Sequence, residues 1–121
     1  MSYETYKLFH VLGMLLIFFG LGGVAVHAAG GGQRDDNPLR KALGAAHGVG
    51  LLLLLVAGFG MLARLQLSFA SGWLWAKIAI WLVLGFATML PYRSRSLARW
   101  SVVIFPLLGL AAAYLARFKP F

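Results

Sequence analysis

The chain has no cysteine among its 121 residues and only three acidic side chains, Glu4, Asp35 and Asp36. The first absence removes disulfides, thiolate-held iron–sulfur clusters, thiol catalysis and C-x-x-C-H haem attachment. The second leaves little material for a carboxylate pair, a calcium site or a magnesium-dependent phosphoryl transferase. Charge is scarce altogether: 12% of residues are charged, against about 25% in an ordinary soluble domain. What replaces it is apolar. Hydrophobic residues make up 61% of the chain and the mean hydropathy is +0.84. A soluble globule of this size could not hide that surface, so the composition reads as an integral membrane protein of one small domain.

The net charge of +8 does not mark a nucleic-acid surface, because the basic residues flank apolar runs. Lys7, Arg34, Arg40, Lys41, Arg64, Arg93, Arg95, Arg99, Arg117 and Lys119 stand where loop charges and helix-end anchors of membrane proteins stand. No nucleic-acid partner is expected; the lipid bilayer is.

Four apolar runs are visible, about 6–29, 39–62, 73–90 and 98–115, each near the roughly 20 residues that cross about 30 Å of hydrocarbon. Backbone groups in lipid must be paired within the segment, so each run is expected to be a helix. The expected fold is all-α: an antiparallel, up-down, four-helix transmembrane bundle in a single domain spanning 1–121. Gly30-Gly31-Gly32 and Pro38 bound the first connection, Ser68 to Gly72 form the second, and Pro91 ends the third run. Pro106, inside the fourth run, is expected to kink it. The first run is too long for a signal-peptide h-region, and Glu4 dilutes the positive start, so it is read as a retained membrane helix. Loops one and three carry six basic residues; the opposite side carries four, or five with Lys77. That bias predicts cytoplasmic loops one and three and periplasmic termini.

Polar residues inside such helices are functional candidates by default. His10 and His27 are about 25 Å apart along one helix, at opposite ends. Antiparallel order brings His47 to the level of His27 and Lys77 to that of His10. Imidazole is the usual axial ligand of b-type haem, and a bundle can supply one from each of two helices. His10 and His47 are therefore candidate haem-iron ligands, with His27 and Lys77 as further cofactor-binding candidates. Of these, His47 meets both needs of a haem ligand, depth and nearby basic residues (Arg40, Lys41), whereas His27 stands at the headgroup level. Lys77, flanked by Trp73 and Trp75, fits snorkelling to the interface better than buried chemistry. His10-x-x-x-Met14 offers a weaker copper alternative. Gly44 and Gly48, four apart, form a small-xxx-small stripe expected to pack against another helix.

The Tyr6-Lys7-Leu8-Phe9-His10-Val11-Leu12-Gly13 opening and the Gly72-Trp73-Leu74-Trp75-Ala76-Lys77 start of the third helix resemble a group of small four-helix bacterial membrane proteins. The group comprises HemJ-type protoporphyrinogen oxidases, SirB-like proteins and CopD-like domains. The resemblance implies a bacterial inner-membrane location, a b-type haem, and functional roles for His10 and Lys77. It departs at Gly20 to Val24, where HemJ-type chains carry a Pro-Arg pair; His47 in a glycine-rich helix is nearer the SirB- and CopD-like branch. Two functions follow as expectations: a haem-associated redox or porphyrin-handling protein, or a non-catalytic accessory subunit of a larger membrane complex. Either is expected to work as a homo-oligomer or within a complex.

Overall fold

A computed structural model describes residues 1–120, and those residues are helical with no strand. Four helices, α1 (Tyr3–Ala29), α2 (Arg40–Arg64), α3 (Gly72–Phe86) and α4 (Arg95–Phe118), account for most of the chain. Counting the short turns that prolong α3 as far as Arg93, each of the four segments is long and apolar enough to cross a bilayer.

Local sequence explains the boundaries. Ser2 caps α1 by accepting from the Thr5 N–H at 3.2 Å, and Ser94 caps α4 by accepting from the Leu97 N–H at 3.1 Å. Both helices therefore start three residues before their apolar runs. At the end of α1, Gly31 lies in the left-handed region at φ +94°. Its N–H bonds the Ala28 carbonyl, and the Gly32 N–H bonds that of His27, the paired closure of a Schellman motif. Glycine is required at 31, where a side chain would be strained. α3 stops at Phe86, four residues before the end of its apolar run. Pro91 has no N–H to return to the Ala87 carbonyl, and Leu90 donates there instead, tightening the chain into 3₁₀ turns over Ala87–Met89 and Pro91–Arg93. α4 passes through Pro106 as one continuous helix.

α1 and α2 form the tightest pair and run in opposite directions. Gly13 meets Gly50 and Leu54, Gly20 meets Leu43 and His47, and Tyr6 lies over Gly60. A β-carbon on Gly50 would stand 2.6 Å from the Gly13 carbonyl oxygen and 2.7 Å from the Ile17 nitrogen. Only glycine permits that backbone approach. The glycines expected to do this, Gly44 and Gly48, do not: both face outward, with nothing within 4 Å of where a side chain would begin. The inner stripe of α2 is Leu43, His47, Gly50 and Ala57, and the pair one position away from it points to the exterior. α4 lies against α1, with Phe18 over Gly109, and α3 rests mainly on α4 and only lightly on α2. The core joins three of the four helices through Ile17, Leu21, Ala25, Leu84, Ala87 and Phe105.

Candidate functional site

The polar side chains of the helices divide into two sets. Those deep in the bundle are ties between helices. His10 Nδ1–H donates to the Leu54 carbonyl at 3.0 Å, and His47 Nε2–H donates to the Leu84 carbonyl at 2.9 Å. Trp81 Nε1–H donates to the Leu51 carbonyl at 3.1 Å. Each bond reaches from one helix to the backbone of another: α1 to α2, α2 to α3, and α3 back to α2. Away from water such bonds stabilise by about 1 kcal/mol apiece. His47 is 6% exposed, with its Nε2 committed to this bond. Among the described residues no buried side-chain nitrogen or oxygen lacks a partner.

The four cofactor candidates do not converge on a haem. Each of the three histidines bonds elsewhere in the bundle rather than to another histidine. His47 lies opposite Gly20, seven residues and so about 10 Å along α1 from His27. The His10 ring lies against Gly58 with its Nδ1 bonded to the Leu54 carbonyl, and no second ligand is bonded beside it. Neither the cleft beside Gly31 and Arg95 nor the apolar hollow along residues 82–93 is lined by His10, His27, His47 or Lys77. Met14 points outward, away from any copper site with His10, and no group of three or more His, Asp or Glu residues is positioned to hold a metal among the described residues. The residues present in one chain do not fit the group that the resemblance implies.

Lys77 is half-buried in α3, five residues from its start. No acceptor or acid partner is within reach of its ammonium among the described residues. Lys119, whose ammonium lies 5.2 Å from the centre of the Trp73 ring, approaches from α4.

The second set lies at the other end of the bundle, and here the structure does bring side chains together. His27, in the last turn of α1, is held by two elements distant in sequence. Its Nδ1 is 2.7 Å from the Tyr92 hydroxyl, and its Nε2 is 3.0 Å from Asp36 Oδ1. Asn37 Nδ2–H donates to the same Tyr92 hydroxyl at 3.0 Å. Asp36 is fixed in turn by the Gln33 N–H, at 3.0 and 3.1 Å from its two oxygens. The bonding has one consistent direction with a neutral imidazole. The Tyr92 oxygen accepts from Asn37 and gives its only proton to Nδ1, so the proton of His27 is on Nε2 and goes to Asp36. Gly32 lies so close to the imidazole that any side chain there would displace the ring. Thus the α1–α2 loop, the α3–α4 turn and the end of α1 are fastened at one histidine.

Three of these four residues, Asp36, Asn37 and Tyr92, are absent from the sequence-based candidates. A signal did exist: two of the chain's three acids stand within nine residues of His27, in the loop that the helix order places beside Tyr92.

Comparisons of the chain with protein-family models, with curated proteins and with solved structures find no match. What the fold and the two polar sets define is therefore a small bundle of apolar helices tied by histidine and tryptophan.

Proposed function

We propose that the chain is a multi-pass membrane protein whose role is that of a non-catalytic accessory subunit in a larger membrane assembly. The observation that carries the reading is the use made of the deep polar groups. His10, His47 and Trp81 each donate to a backbone carbonyl of a neighbouring helix, which makes them structural ties of the bundle. Lys77 adds support. Its charge lies within a span, while the chain's acids lie in the first turn of α1 and in the loop after it. A membrane-embedded cation without a counter-charge among the described residues suits pairing with a carboxylate on a partner helix. The outward faces of α2, α3 and α4, with Leu52, Val56, Phe86, Trp100 and Leu110 each more than half exposed, provide the apolar surface for lipid and partner alike.

The test is the size and content of the protein extracted from its own membranes in mild detergent. The expected result is a particle larger than any oligomer of 13.2 kDa chains, with a second polypeptide at fixed stoichiometry and a featureless visible spectrum. Lys77→Gln is expected to release that polypeptide while the bundle stays helical. A particle of this chain alone, or one haem per chain with a Soret band lost in His10→Ala, overturns the reading.

A further inference from the structure

Beside the His27 cluster, between the end of α1 and the start of α4, an open cleft of about 140 Å³ is lined by Ala28, Gly31, Gly32, Tyr92, Ser94 and Arg95. That is well above the ~10–15 Å³ needed for one water. Two features of its wall point to a ligand class. The first is Arg95. Its guanidinium reaches across Gly31 so closely that a side chain there would collide with Nη2, and it has no acceptor or acid partner among the described residues. The acids that could neutralise it are engaged or distant. Asp35 bonds Arg40 at 3.1 Å, Asp36 bonds His27, and Glu4 is at the far end of α1, about 40 Å away along the helix. A guanidinium fork over a small polar cleft is matched by a tetrahedral oxyanion.

The second feature is Tyr92, which lines the cleft and whose hydroxyl bonding depends on the protonation of His27. With the imidazole neutral, the hydroxyl proton is given to Nδ1 and is withheld from the cleft. With the imidazole protonated, Nδ1 becomes a donor. The Tyr92 oxygen then accepts from both Asn37 and His27, filling its lone pairs, and its own proton must find another acceptor. The cleft that Tyr92 lines is the place where an anion offers one. We propose that this cleft binds a small oxyanion of the phosphate or sulfate class, held by Arg95, and that protonation of His27 turns the Tyr92 hydroxyl into a second donor to it.

The charged and titratable groups that bear on His27 come from three elements. The α1–α2 loop contributes Asp36 directly, with Arg34 and the Asp35–Arg40 pair on the same turn. The α3–α4 turn contributes Tyr92, with Arg93 beside it, and α4 contributes Arg95 across Gly31. Asp36 supports the imidazolium, so the cluster gains an ion pair while the hydroxyl is released.

Sulfate is the probe, because its own charge is constant across that range. Calorimetric titration of the full chain in detergent is expected to show one site, bound roughly tenfold more tightly at about pH 5.5 than at about pH 8, the worth of one charge-assisted hydrogen bond. Arg95→Gln is expected to abolish binding at both pH values, and Arg95→Lys to restore part of it. Tyr92→Phe is expected to lose most of the gain in affinity between pH 8 and pH 5.5. The phosphate of a lipid headgroup and a soluble anion share this chemistry. Weaker sulfate binding in phosphatidylglycerol nanodiscs than in phosphatidylcholine nanodiscs identifies the headgroup, and equal binding identifies the soluble anion. No saturable sulfate binding, or binding untouched by Arg95→Gln, overturns the site. A pH dependence preserved in Tyr92→Phe overturns the switch.

Discussion

Gly50→Ala and Gly48→Ala place the same methyl group on two neighbouring positions of α2, and the structure assigns them opposite outcomes. At Gly50 the added carbon meets the Gly13 carbonyl oxygen at 2.6 Å, the Ile17 nitrogen at 2.7 Å and Ile17 Cγ1 at 2.9 Å. Two of these atoms are backbone, so no rotamer relieves the contact. α1 must retreat by roughly an ångström to restore ordinary van der Waals separation. At Gly48 nothing lies within 4 Å. Both variants gain the same ~1 kcal/mol of helix propensity from replacing glycine, so their difference isolates the collision, expected at about 1–3 kcal/mol. Reversible unfolding in mixed micelles, followed by the helical signal as the fraction of denaturing detergent rises, measures that difference directly. Gly48→Ala is expected at or above the stability of the parent chain, and Gly50→Ala below Gly48→Ala by that amount. If Gly48→Ala is instead the weaker of the two, α2 presents its other face to α1 and the packing described here is wrong.

His47→Leu removes the donor to the Leu84 carbonyl while keeping similar bulk, and is expected to cost about 1–2 kcal/mol in the same unfolding measurement. An unchanged midpoint would deny His47 its role as a tie. Orientation rests on the excess of basic residues in loops one and three: a reporter fused after Lys119 is expected to behave as periplasmic and one inserted at Gln33 as cytoplasmic. The reverse pattern would put the His27 cluster and its cleft on the outer side.

The count and rough limits of the helices were legible because lipid demands long apolar runs, and serine, glycine and proline mark where those runs are capped or cut. Pro91 was read correctly as a stop, but its reach was not: the missing N–H acts one turn upstream, at Ala87, and shortens α3. The face of α2 was not legible. In a membrane both sides of a helix are apolar, and α2 carries glycine on each, so spacing alone could not separate Gly44 and Gly48 from Gly50 and Gly58. The histidines were visible, but their use was not. Whether an imidazole meets a metal, a carbonyl or a tyrosine depends on residues 37 to 65 positions away, as Leu84, Leu54 and Tyr92 show. His27 ranks below His10 and His47 as a ligand because it stands at the water boundary, and that boundary is where loops can bring Asp36 and Tyr92 to it.

The uneven packing of the helices has a consequence for biosynthesis. α1 and α2 are consecutive, joined by a short loop and matched along their length by glycine contacts, whereas α3 is fastened to α2 by little more than the His47 and Trp81 bonds. A ribosome adding about 5–20 residues per second takes seconds to pass from Leu67 to Tyr92. The first hairpin therefore has its own glycine contacts complete before α3 is made, and it can close as a unit while the second half is still being synthesised. A chain truncated after Leu67 should already hold α1 against α2, detectable by crosslinking between cysteines placed at Tyr6 and Gly60. His47, Trp81 and the Tyr92–His27 bond would then act last, as the fasteners by which the second hairpin is received. Their loss would show first as slow or incomplete assembly of newly made chains, before any effect on chains already mature.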